Sequence, residues 1–190
     1  DATPVDPFRL PRAVIPTRYE LTLRPDLDAA TFSGSVHVAL TVREATDTVV
    51  LNAIELEIDE AVVVVGDTRH PARIELEEAT ERLHLRLDEA LTPGEAALDV
   101  AFRGILNDQL RGFYRSTFTD GKGEERVLAT TQFEATDARR AFPCWDEPDL
   151  KASFAVTLDV PADLLAVANT REVARQELEG GAVRIHFAES

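Results

Sequence analysis

Val36-His37-Val38-Ala39-Leu40-Thr41-Val42-Arg43 alternates along its length, with the valines and the leucine on one face of an extended chain and His37, Thr41 and Arg43 on the other. The pattern predicts a half-buried strand. It recurs where Leu83, Leu85 and Leu87 alternate with Arg82, His84 and Arg86, and where Val183, Ile185 and Phe187 alternate with Arg184 and His186. Three of the four histidines therefore fall on or near polar strand faces. Further strands are predicted near 18–24, 47–52, 56–65, 71–78, 96–102, 112–118, 125–133, 152–160 and 164–168. That is too many for one open sheet of ordinary size, so two packed sheets are the economical arrangement, an all-β antiparallel sandwich.

Val62-Val63-Val64-Val65 is a continuous β-branched run, which suits a strand covered on both sides better than a helix. Gly66-Asp67 and Gly180-Gly181 read as tight turns, and Thr119-Asp120-Gly121-Lys122-Gly123 as an exposed hairpin loop. The one clear helical signal is short: Thr136 is placed to cap a turn through Asp137-Ala138-Arg139-Arg140 that Pro143 ends. No internal repeat or low-complexity tract interrupts the pattern. Residues 1–8 read as a poorly ordered tail and 9–190 as one sandwich domain.

The composition is that of a globular protein, with 44% hydrophobic and 29% charged residues over 190 positions. A net charge of -15 argues against a nucleic-acid partner, because phosphate binding needs clustered Lys and Arg. No apolar run approaches the ~18–20 residues needed to span a bilayer, so no membrane partner is expected. The N-terminus lacks the basic and apolar regions of a signal peptide, and a soluble chain is expected, with the cytoplasm favoured. A single cysteine, Cys144, excludes an internal disulfide and a cysteine-based zinc site, and reads as a small buried residue. Acidic doublets such as Glu77-Glu78 and Glu124-Glu125 are ordinary solvated surface in a chain with 35 acidic residues.

The run Thr131-Gln132-Phe133-Glu134-Ala135-Thr136-Asp137-Ala138-Arg139-Arg140-Ala141-Phe142-Pro143-Cys144-Trp145-Asp146-Glu147-Pro148 is different, since folding alone does not account for it. Gln132 and Glu134 lie two apart at a predicted strand end, which would aim both side chains to one face. A carboxylate facing a substrate ammonium forms a charge-assisted hydrogen bond worth ~1.5–3 kcal/mol, and glutamine adds a neutral donor and acceptor. An arbitrary Gln-x-Glu is solvated polar surface; only its surroundings argue for more. Arg139 and Arg140, with Asp146 and Glu147, are expected to form ion pairs that hold the loop. Phe142, Pro143, Trp145 and Pro148 are expected to pack it against the sandwich, although Trp145 could instead be an exposed interface anchor.

The run resembles the Gln-x-Glu and Pro-Cys-x-Asp-Glu-Pro segment that ends the first domain of the aminopeptidase N family of zinc metallopeptidases, the gluzincins. Other stretches are similar to that family in the same order. They are Arg9-Leu10-Pro11 with Pro16-x-x-Tyr19-x-Leu21-x-Leu23-x-Pro25, then Phe32-x-Gly34-x-Val36, then Leu91-x-x-Gly94, then Phe102-x-Gly104-x-Leu106-Asn107-Asp108, and Gly112-Phe113-Tyr114-Arg115-Ser116. Trp145 stands where many members have phenylalanine.

The resemblance implies a saddle-like β-sandwich that serves as the N-terminal, substrate-recognition domain of a zinc-dependent aminopeptidase. It implies that Glu134 holds the substrate's α-amino group and that Gln132 borders the pocket for the first side chain. The implied partners are peptides with a free N-terminus and the enzyme's own catalytic domain, which begins in the family about where this chain stops. The family's zinc motif, H-E-x-x-H, is absent: His37, His70, His84 and His186 lie far apart and none precedes a glutamate. The substrate-amine motif Gly-x-Met-Glu-Asn is absent too. Zinc is therefore expected in the parent enzyme and not in this chain, which by itself is expected to be inactive. A stand-alone β-sandwich binding or scaffold module is the alternative.

Overall fold

In the computed structural model, which describes residues 9–190, the alternation at Val36 becomes the centre of a large sheet. The strands are β1 (Val14–Asp26), β2 (Thr31–Val42), β3 (Thr46–Asn52), β4 (Leu56–Val65), β5 (Thr68–Pro71), β6 (Arg73–Glu77) and β7 (Arg82–Leu91). They continue as β8 (Gly94–Ile105), β9 (Gly112–Thr119), β10 (Glu125–Gln132), β11 (Ser153–Pro161), β12 (Glu172–Glu177) and β13 (Ala182–Phe187). Eight form one sheet in the order β12-β13-β11-β1-β2-β8-β4-β5, β3-β7-β6 form a second, and β9 with β10 a two-stranded ribbon. The all-β reading holds. The strands divide into three sheets where two were expected, and one pair, β1 with β11, runs parallel in register from Arg18↔Ser153 to Leu23↔Leu158. The expected tail, residues 1–8, lies outside the described residues.

The core forms where the large sheet faces the three-stranded one. Val36, Val38 and Leu40 of β2, Leu98, Val100 and Phe102 of β8 and Val63 of β4 share one buried cluster with Val49 and Leu51 of β3 and Leu83, Leu85 and Leu87 of β7. Burying each such side chain contributes about 1.5–3 kcal/mol. Two bulges keep long strands in phase with this core. In β1 the register shifts between Pro16 and Arg18, so burial passes from Val14 and Pro16 to Tyr19, Leu21 and Leu23. In β4 a shift between Ile58 and Glu60 moves it from Leu56 to Ala61 and Val63. An extra residue on one strand does this because a one-residue slip exchanges its faces. Val62 and Val63 are both buried, as the β-branched run implied.

Two glycines on the inner face of the large sheet are occupied from across the ladder. Phe32 of β2 pairs with Gly104 of β8, and Gly34 of β2 pairs with Phe102 of β8. A β-carbon on Gly104 would lie 2.3 Å from the Phe32 ring, and one on Gly34 would lie 2.7 Å from the Phe102 ring. Each ring thus covers the glycine opposite, a reciprocal form of the aromatic rescue that restores contact area where glycine has none.

Several expectations fail locally. The segment 71–78 is not one strand: β5 ends at Pro71, β6 begins at Arg73, and Glu78 opens a 3₁₀ turn (Glu78–Thr80). Residues 164–168, expected as a strand, alternate in burial but make no ladder among the described residues. Ala166 and Ala168 pack on a second small cluster of Val160, Val183, Ile185 and Phe187, while Leu165 and Val167 stay exposed. Burial on one side produces the alternation, but β13 already has β11 and β12 as neighbours, so the segment lies over the cluster as a flap. The strand that does pair there, β12, is exposed at all six positions, so no alternation could announce it. Gly180 and Gly181 do turn the chain between β12 and β13, with φ of 75° and 79°.

On the outer face of the large sheet Asp159 is 2% exposed and clamped by Arg184, at 2.7 and 2.8 Å, and by Arg24 at 2.7 Å. Hydrogen bonds from Arg184, then from Arg24, hold its carboxyl below the usual range against the opposing cost of burial. A lowered folded-state pKa means stability present above the unfolded value of about 3.9 and lost as pH falls through the folded value. Asp159→Asn is therefore expected to lower the urea midpoint at about pH 7, with the gap narrowing toward about pH 3. An equal gap at both pH values would show that the charge contributes nothing.

Candidate functional site

The β9–β10 ribbon runs in register from Thr119↔Glu125, across the expected exposed loop, to Gly112↔Gln132. The ladder stops at Gln132, so Glu134 lies beyond the strand and the expectation that both side chains share a strand face does not carry to it. Glu134 belongs instead to a turn over residues 134–137 that is closed by the Asp137 N–H donating to the Phe133 carbonyl at 2.9 Å. A 3₁₀ turn (Ala138–Arg140) follows, and it is N-capped by Asp137 and not by Thr136. The Asp137 side chain makes no capping bond. The Asp137 carboxylate accepts from Arg140 Nε at 2.8 Å instead.

After this turn the chain dives into the core. Ala141, Phe142, Pro143, Cys144 and Trp145 are all buried. Burial pushes the Cys144 thiol well above its ordinary pKa, as suits an inert packed residue. Asn52, at the end of β3, exchanges backbone hydrogen bonds with Cys144 at 2.7 and 3.0 Å. Its side chain accepts from the Asp146 N–H at 3.2 Å and donates to the Glu81 carbonyl at 3.3 Å. Phe142 meets Phe133, Tyr19 and Phe154 edge-on, and Tyr19 stacks on Phe154 at 4.6 Å. Pro148, expected to pack, is exposed, because the buried stretch ends at Trp145 and the chain has returned to the surface.

Trp145 is 4% exposed, which settles it as a packing residue. Its backbone N–H donates to the Tyr19 hydroxyl at 3.1 Å, whereas its indole N–H finds no acceptor among the described residues. Two substitutions should therefore differ in an unobvious direction. Tyr19→Phe leaves the Trp145 backbone donor buried and unpaired, at a cost of about 1–3 kcal/mol. Trp145→Phe deletes an unsatisfied donor along with some contact area, and is expected to cost less than Tyr19→Phe by urea denaturation. The reverse ranking would refute this account of the two donors.

The arginines form the expected ion pairs with partly different partners. Arg139 binds Asp146 at 2.9 Å and Glu81 at 3.0 Å. Arg140 binds Glu55 at 2.5 Å, Asp137 at 2.8 Å and Glu81 at 3.4 Å. Glu147 turns the other way, to Arg12 at 2.6 Å, Arg9 at 3.3 Å and the Leu10 N–H at 2.5 Å. Glu55 and Glu81 escaped the sequence reading because nothing local marks them; each follows a strand or turn far from residue 139 in the chain. Against this bonded background Gln132 and Glu134 stand out. Both are exposed, and neither side chain takes a hydrogen bond or ion pair among the described residues.

The histidines do not fit a zinc site. His37 Nδ1 is 2.6 Å from Asp99, His84 Nε2 is 3.3 Å from Glu77, and His186 Nδ1 is 3.0 Å from Thr157. They sit on β2, β7 and β13, with His70 on β5, and among the described residues no three His, Cys, Asp or Glu gather where they could hold a metal ion. Among the same residues no helix is long and apolar enough to cross a membrane.

The chain is thus an all-β domain in which an exposed Gln-x-Glu, without a side-chain partner among the described residues, precedes the buried stretch 141–145. The peptidase M1 N-terminal domain family matches residues 15–190, and the chain belongs to that family. It is 48% identical over 182 residues to aminopeptidase M1-C of Oryza sativa subsp. japonica, covering 96% of this chain and 20% of that protein. It is 41% identical over 180 residues to aminopeptidase N of Bos taurus, covering 87% and 18%. It is 38% identical over 175 residues to the puromycin-sensitive aminopeptidase of Caenorhabditis elegans, covering 91% and 18%. The chain therefore spans about a fifth of the length of these relatives.

Proposed function

We propose that residues 9–190 form the substrate-recognition domain of a zinc-dependent aminopeptidase that acts in the cytoplasm on peptides with a free N-terminus. The single observation that carries the reading is the exposed pair Gln132 and Glu134, without partners among the described residues on a segment whose other charged side chains are nearly all paired. Glu134 supplies a carboxylate for the substrate ammonium, and Gln132 orients the first residue without adding charge. The family match and the relatives' names support an aminopeptidase as the parent protein. Zinc, its ligands and the general base belong to the partner catalytic domain in this reading, since the histidines here do not fit a zinc site.

The domain alone is proposed to be inactive and to bind peptide weakly, because one partly shielded ion pair does not offset the cost of association. The test is hydrolysis of a peptide with a free amino terminus and of its N-acetylated form, by the full-length protein and by this domain. The reading requires cleavage of the free peptide only, by the full-length protein only. Activity in neither would favour a stand-alone binding or scaffold module.

A further inference from the structure

The segment that bears Glu134 is held from behind. Gly112, the ladder partner of Gln132, has φ of 67°, and a β-carbon there would lie 2.7 Å from Arg140 Cβ and 3.4 Å from the Asp137 carbonyl oxygen. The strand end that carries Gln132 therefore rests, through Gly112, directly on Arg140. The Arg140 side chain is 9% exposed and reaches carboxylates from three separate stretches: Asp137 in its own turn, Glu55 after β3, and Glu81 before β7. The Glu134 turn is tied to the same point, since Asp137 accepts from Arg140 and donates its N–H to Phe133. Arg140 thus joins three parts of the fold: its Cβ backs Gly112 of the ribbon, while its guanidinium holds the turn and the stretches that follow β3 and precede β7.

We propose that Arg140 is a positioning residue, which sets Gln132 through Gly112 and Glu134 through Asp137 for the amino end of a peptide. The inference rests on the reading of Gln132 and Glu134 given above and adds the residue that makes their placement rigid. A guanidinium is suited to this because its planar fork serves several carboxylates at once in fixed directions. Lysine keeps the charge and loses the fork. Arg139 acts elsewhere, since its bonds to Asp146 and Glu81 fasten the turn to the chain after Trp145.

The test is a double-mutant cycle in the full-length protein with a free-amino peptide as substrate. Arg140→Lys is expected to lower kcat/KM about tenfold, mainly through KM, in the presence of Glu134, and by less than about twofold in the Glu134→Ala background. A residue that merely stabilises the fold would lower the melting temperature and leave KM alone, or act equally in both backgrounds. Either result would overturn the inference while leaving the role of Glu134 standing. Unchanged KM in Glu134→Ala alone would instead overturn the underlying reading, and this inference with it. Should Arg140→Lys fail to fold, Asp137→Asn repeats the cycle at the same link, with the same two outcomes.

Discussion

Glu134→Ala in the full-length protein is expected to raise KM for peptides with a free amino terminus by about tenfold to a hundredfold. The size follows from a charge-assisted hydrogen bond of ~1.5–3 kcal/mol, at about 1.4 kcal/mol per decade. Alanine removes the carboxylate without stranding any internal donor, because Glu134 has no hydrogen bond or ion pair among the described residues. The melting temperature should therefore stay nearly unchanged, so lost binding will not be confused with lost fold. Glu134→Gln is the sharper control, since it keeps the volume and one acceptor while losing the charge, and most of the penalty should remain. Gln132→Ala should cost less, as a neutral bond is worth about half a charged one. Wild-type KM in Glu134→Ala would remove the basis of the proposed site.

The second large effect falls on stability. Gly104→Ala places a β-carbon 2.3 and 2.5 Å from two atoms of the Phe32 ring and 3.0 Å from Leu56 Cδ2. Phe32 is 3% exposed and meets Phe113 edge-on at 5.2 Å, so its ring has no free space to enter. Overpacking of this kind typically costs about 1–3 kcal/mol, and the buried Phe113 on the far side of the ring puts Gly104 at the upper end. The penalty should shrink when Phe32→Leu is added, because the smaller side chain vacates the space that the new methyl needs. The single changes would then be non-additive by more than about 0.5 kcal/mol in urea denaturation. Additive losses would mean that the close approach is not the cause.

The same two strands show how much of the fold is legible in the sequence alone. Phe32-x-Gly34 and Phe102-x-Gly104 were legible as motifs, but only pairing of β2 with β8 reveals that each phenylalanine covers the other strand's glycine. The strand at 36–43 was legible because burial on one side writes a period of two into the residues. β12 was not, because it is exposed on both faces and held by backbone bonds to β13 that any sequence can make. The flap at 164–168 carried the signal of a strand without the pairing. In the candidate site, Gln132, Glu134 and the arginines were legible as an unusual run. The arginines' partners Glu55 and Glu81, and Asn52 that pairs with Cys144, were not, since each lies across the fold in unremarkable local sequence.

The amino-acid sequence by itself determined the class of the domain and the strands with one buried face, because hydrophobic periodicity is a local property, and its family resemblance singled out Gln132 and Glu134. Tertiary structure alone decided which carboxylates the two arginines bind, where β11 enters the large sheet in parallel and how the turn bearing Glu134 is braced. Those outcomes depend on which distant segments approach within a few ångströms, and long-range pairing leaves no periodic trace along a single chain.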